Sequence, residues 1–142
     1  MAEILLPIHL GALSVAAIVV MFADKEAFLW MRGNKSLLDL GRMRLIHYLM
    51  WAALLTMITS GVLMAWPDRG VLIFYPPFLL KMAFVAALVI NAFVIGRFLR
   101  TPTERNYASL SRSEKMPLFL SGAVSFVSWF GAPLTALYIF GW

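Results

Sequence analysis

The chain has 142 residues, 62% of them hydrophobic and 13% charged, with a mean hydropathy of +0.85 and a formal charge of +5. A soluble domain of this length has too little interior to hide so much apolar side chain, so an ordinary water-soluble fold is excluded. Zero cysteine excludes disulfides, thiolate metal sites and covalently attached c-type haem.

Four apolar runs, at about 4–23, 45–66, 78–96 and 117–140, each approach the ~20 residues that cross a bilayer as helix. None alternates apolar and polar residues as a membrane β-strand would. The expectation is an all-α membrane protein, a single transmembrane domain over 1–142 built as a four-helix bundle. The first run lacks a basic leader, carries Glu3 and is followed by Asp24-Lys25-Glu26, so it reads as a span and not as a signal peptide. It holds His9 and the small residues Gly11, Ala12, Ala16 and Ala17. The segment Ala27–Met31 either prolongs this helix or lies in the interface with Trp30 as a lipid anchor, and Gly33-Asn34 should end it. Asp24 and Glu26 are read as solvated, with pairing to nearby bases as the alternative.

Arg42-Met43-Arg44 leads into the second run, which contains His47, Thr56, Thr59, Ser60 and Gly61. Met43, Met50, Met57 and Met64 recur every seven residues and so stay on roughly one helix face. With His47 they could form a soft copper ladder. The ordinary reading is adaptable packing or lipid-facing methionine. Trp66-Pro67-Asp68-Arg69-Gly70 marks a turn, and Tyr75-Pro76-Pro77 opens the third helix with proline in its first turn. That helix contains two strongly polar residues, Lys81 and Asn91. Ser111-Arg112-Ser113-Glu114 fits a capping box before the fourth helix. There, Ser121, Ser125, Ser128, Ala132 and Thr135 form a small-residue packing stripe, and Pro133 predicts a bend. Trp66 and Trp142 are expected at the lipid interface.

The loop after the first run holds Lys25, Arg32, Lys35, Arg42 and Arg44, and the loop after the third holds Arg97, Arg100, Arg105, Arg112 and Lys115. The second loop holds Arg69 alone. The positive-inside rule places loops one and three in the cytoplasm of a bacterial-type inner membrane and both termini on the outer, periplasmic side. Basic residues grouped at span ends serve topology and lipid headgroups, so no nucleic-acid partner is expected.

With this topology His9 and Lys81 fall in the same outer leaflet, while His47 falls near the cytoplasmic end of its helix. The two histidines are then too far apart in depth to hold one haem between them. A lysine in hydrocarbon costs several kcal/mol unless it snorkels, pairs or faces water. His9 could ligate a haem iron, with Lys81 pairing a propionate or polarising a bound ligand. The ordinary readings are a carbonyl-bonded His9 and a snorkelling Lys81. Asn91 either hydrogen-bonds a neighbouring helix or joins the cofactor site.

Ile8-His9-Leu10-Gly11-Ala12, Arg42-Met43-Arg44, Thr59-Ser60-Gly61, Leu79-Leu80-Lys81-Met82 and Gly96-Arg97-Phe98-Leu99-Arg100 together resemble a set of small integral-membrane families. These include the bacterial haem-b-binding protoporphyrinogen oxidase and the copper-resistance D type proteins. The resemblance implies a ligand role for His9 and a catalytic role for Lys81. The chain departs from the oxidase pattern at Val19–Asp24, at Leu79-Leu80 and at Ile90-Asn91-Ala92, so the likeness speaks for the fold more than for the oxidase reaction. Three functions follow as expectations: a membrane redox protein with haem b, a non-catalytic subunit of a larger respiratory or photosynthetic complex that binds no cofactor, and copper handling. Other membrane subunits or further copies of the chain are the expected partners within the bilayer.

Overall fold

The computed structural model describes residues 2–140; Trp142, an expected interface anchor, lies outside them. The described residues are helical with no strand. Four helices, α1 (Ala2–Met31), α2 (Leu40–Ala65), α4 (Pro76–Phe98) and α6 (Arg112–Phe140), are long and apolar enough to cross a membrane. Two one-turn helices, α3 (Arg69–Leu72) and α5 (Thr101–Glu104), and a 3₁₀ turn at Tyr107–Ser109 fill the connections.

Local chemistry explains the ends. Gly33 ends the first helix region with φ of +77°, a left-handed conformation glycine adopts without strain. Asp39 caps α2, its carboxylate accepting from the Arg42 N–H at 2.6 Å. Pro76 and Pro77 occupy the first turn of α4. The Ser111 and Glu114 side chains exchange bonds with each other's backbone N–H, forming the expected capping box. The helix α6 is continuous through Pro133. All four long helices extend beyond the apolar runs read from sequence, α1 the furthest.

The helices pair as two hairpins, α1 with α2 and α4 with α6; the seam between the hairpins is thinner and runs mainly along α2 and α4. The inward side of α1 carries Ala12, Ala16, Val19, Glu26 and Trp30, steps of three, four and seven residues that keep one face toward α2. On α6, Ser121, Ser128 and Ala132 are buried and Ser125 and Thr135 half-buried, as a close-packing stripe requires. Here Phe84 of α4 lies so close over Gly131 that a Cβ at that position would fall 2.5 Å from the ring. Met43 is buried in the cap cluster and Met50, Met57 and Met64 are half-buried, so no methionine of the ladder is fully exposed.

Loops one and three dock on each other and cap one end of the bundle. Trp30 is 3% exposed and packs with Leu38, Met43 and Leu110. Its indole N–H donates to the Arg105 carbonyl at 3.1 Å, and its ring meets Tyr107 edge-on at 5.2 Å. The Leu38 N–H donates to the Pro102 carbonyl at 2.8 Å. Trp30 is therefore a core residue of this cap: of the two expected alternatives the structure shows the prolonged helix, with α1 running on to Met31 and the indole turned inward. Glu26 is likewise not solvated. It is 9% exposed and pairs with Lys35 at 2.6 Å and Arg42 at 3.3 Å. A carboxylate so covered needs these two cations to offset its desolvation. Asp24 is exposed, as expected.

Trp30→Ala should lower unfolding stability in detergent by about 3–5 kcal/mol, the usual result of emptying a buried aromatic site. Trp66→Ala should change it by under about 0.5 kcal/mol, because Trp66 is 59% exposed and its ring lies under the Arg69 guanidinium at the surface. Denaturant titrations followed by helical circular dichroism would compare the two.

Candidate functional site

The polar residues inside the long helices fall at three levels. Nearest the turn that joins α2 to α4 are His9 and Lys81. His9 lies about two turns into α1 and Lys81 about one and a half turns into α4. The His9 Nδ1 atom is 2.9 Å from the Ser60 hydroxyl of α2. Its ring rests on Gly61, where a Cβ would stand 3.4 Å from His9 Cε1. Small residues at 60 and 61 thus let α1 bring an imidazole close to the α2 backbone. Lys81 is half-buried, and no hydrogen bond is shown for it among the described residues. The two expected site residues thus stand at the same end of the bundle, on different hairpins. The side-chain hydrogen bond shown for the ring is the one at Nδ1.

The middle level is structural. Asn91 of α4 donates through Nδ2 to the Ser121 carbonyl of α6 at 3.0 Å, and the Ser121 hydroxyl donates to Asn91 Oδ1 at 2.8 Å. Both residues are buried, so the amide joins α4 to α6 at a place with no water to replace either bond. Its partners are those of the helix-packing reading and not of the cofactor reading.

His47 marks the third level, towards the cap. Trp51, one turn on, donates its indole N–H to His47 Nε2 at 3.1 Å. The imidazole lies against Gly96 of α4, where a Cβ would be 3.1 Å from Nε2. Trp51 in turn meets Phe93 edge-on at 4.8 Å. His47 therefore stitches α2 to α4, with the nitrogen most suited to a metal already engaged. Among the described residues no three His, Cys, Asp or Glu side chains converge as a metal-ion site.

Ser60 and Gly61 were visible in the sequence only as small packing residues, and the aromatic partners of His47 were not legible as such. A clue lay in the spacing: Trp51 follows His47 by four residues, one helical turn. No protein-family model, curated protein or solved structure matches the chain, so the site is read from its own geometry.

Asn91→Leu should destabilise the bundle by about 1–3 kcal/mol, the effect of stranding the buried Ser121 hydroxyl. The double variant Asn91→Leu with Ser121→Ala should recover part of that loss. A double-mutant cycle on detergent unfolding would show a coupling energy above about 0.5 kcal/mol if the pair acts as described.

Proposed function

We propose that the chain is an integral protein of a bacterial-type inner membrane that binds haem b at His9, near the outer leaflet, in a redox role. The observation that carries this reading is the His9 ring: Nδ1 meets the Ser60 hydroxyl, no hydrogen bond is shown at Nε2 among the described residues, and Lys81 stands at the same end of the bundle on the other hairpin. A histidine metal ligand is commonly fixed in this way, one nitrogen held by the protein and the other left for the metal.

The residues present could hold a haem through His9. Bound there, haem would supply one-electron chemistry in the hydrocarbon phase. The Lys81 ammonium would pair with a propionate carboxylate and offset the cost of a cation at that depth. His47 is not the second ligand in this reading, because Trp51 occupies its Nε2. Asn91 stands outside the site, engaged with Ser121. Copper handling has the least support, since the methionines run along one helix and His47 is engaged.

A second reading, a non-catalytic subunit of a larger membrane complex, is favoured by the thin seam between hairpins and by a shallow groove of about 330 Å³ on the α1–α2 pair. The groove is apolar, lined in part by Leu5, Ile8, Leu55 and Leu63, and lipid, another subunit or a second copy would have to cover it. Loops one and three face the cytoplasm in both readings, supported by their excess of Lys and Arg.

The purified protein should show a stoichiometric Soret band that sharpens with dithionite. The band should vanish in His9→Ala with helicity retained and persist in His47→Ala. A colourless protein that does not take up added haem would remove the redox reading and leave the subunit reading.

Sidedness has its own test, since the chain has no cysteine to interfere. A single cysteine at Asp68 should react with an impermeant maleimide in intact spheroplasts. One at Asn106 should react only after permeabilisation, and the opposite pattern would invert the topology.

A further inference from the structure

We infer that Ser60 is a positioning residue: it sets the tautomer of His9 and so leaves Nε2 as the ligating nitrogen. This rests on the reading of His9 as a ligand and deepens it. Ser60 is 3% exposed, so no solvent competes for its hydroxyl. That hydroxyl has one proton and three near neighbours: the Thr56 carbonyl at 2.6 Å, the Met57 carbonyl at 3.2 Å and His9 Nδ1 at 2.9 Å. A carbonyl can only accept, and the shortest contact, to Thr56, takes the proton. The Ser60 oxygen then offers lone pairs to His9, and Nδ1 must be the donor. In a neutral imidazole with Nδ1 protonated, Nε2 carries the free lone pair. Gly61 completes the arrangement by leaving room beneath Cε1 for the ring. The adjacent pair thus fixes both the proton and the placement of the imidazole.

Without the hydroxyl, Nδ1–H loses its acceptor and the two tautomers mix, so that part of the population has a proton on the ligating nitrogen. Nitrogen-15 NMR of histidine-labelled, haem-free protein in micelles reads this directly, the His9 signals being assigned by their loss in His9→Ala. The wild type should show His9 protonated at Nδ1 and bare at Nε2. Ser60→Ala should show a mixture of tautomers and bind haem about ten- to a hundredfold more weakly, the usual effect of losing such a supporting bond. Ser60→Thr, which keeps the hydroxyl, should restore the single tautomer. A wild type protonated at Nε2, or a Ser60→Ala spectrum identical to wild type, would overturn the inference. The wild-type spectrum decides even if Ser60→Ala fails to fold. Failure of the haem reading looks different: a colourless protein whose His9 tautomer still depends on Ser60.

Discussion

Hydrocarbon does not reward two helices for hiding apolar side chains from each other, because lipid tails are as apolar as leucine. Helices in that solvent are held by close contact, which needs small side chains, and by the few polar groups that find partners. The two hairpins follow from this constraint. Ala12 and Ala16 let α1 approach α2, and Ser121, Ser128 and Ala132 let α6 approach α4. Gly131 admits the edge of Phe84 in the second pair, and Gly61 admits His9 in the first.

The seam between the hairpins has fewer small residues, and it is held by aromatic and polar contacts instead. At one end the docked loops supply a water-accessible cap, where Trp30, Tyr107 and Leu110 bring α1 and the segment before α6 together. Glu26 anchors Lys35 and Arg42 beneath it, which ties loop one to the start of α2. Next comes the His47–Gly96 contact with its Trp51 and Phe93 rings, and then the Leu54, Leu88 and Ala92 cluster joined by Trp129. The cap, the His47–Gly96 contact and the Leu54, Leu88 and Ala92 cluster join the hairpins directly, while the Glu26 pairs stay within the first.

Much of this was legible in the sequence because membrane helices advertise themselves by length and hydropathy. The four long elements, the proline opening of α4, the Ser111 capping box and the α6 stripe depend on local chemistry, which a sequence displays. Glu26 was misread, and the two readings of Trp30 stayed open, for a physical reason: their partners, Lys35 and Arg42 for the one and Arg105 and Tyr107 for the other, become neighbours only when the loops fold back. Without those partners a solvated carboxylate is the natural reading and an interfacial tryptophan an open one. The common level of His9 and Lys81 could be inferred from matched depth, but depth is blind to rotation about the helix axis. Hence Ser60, which lies on the particular face of α2 that His9 meets, looked like any other packing residue.

The two expected site residues belong to different hairpins, His9 to the α1–α2 pair and Lys81 to the α4–α6 pair. His9 is held within its own hairpin, and no hydrogen bond is shown for Lys81 among the described residues. At the level of His47 and Gly96 the hairpins touch directly, whereas at the level of His9 and Lys81 no hydrogen bond between them is shown among the described residues. In the proposed reading, a ligand with a metal centre and a carboxylate would engage His9 and Lys81 at once and bridge the two hairpins. Such a ligand would stabilise the bundle in proportion to its preference for the folded state, because only the assembled hairpins offer both groups together. The same geometry explains why either residue alone is unremarkable, a satisfied histidine or a snorkelling lysine, while the pair at the open end of the seam is not.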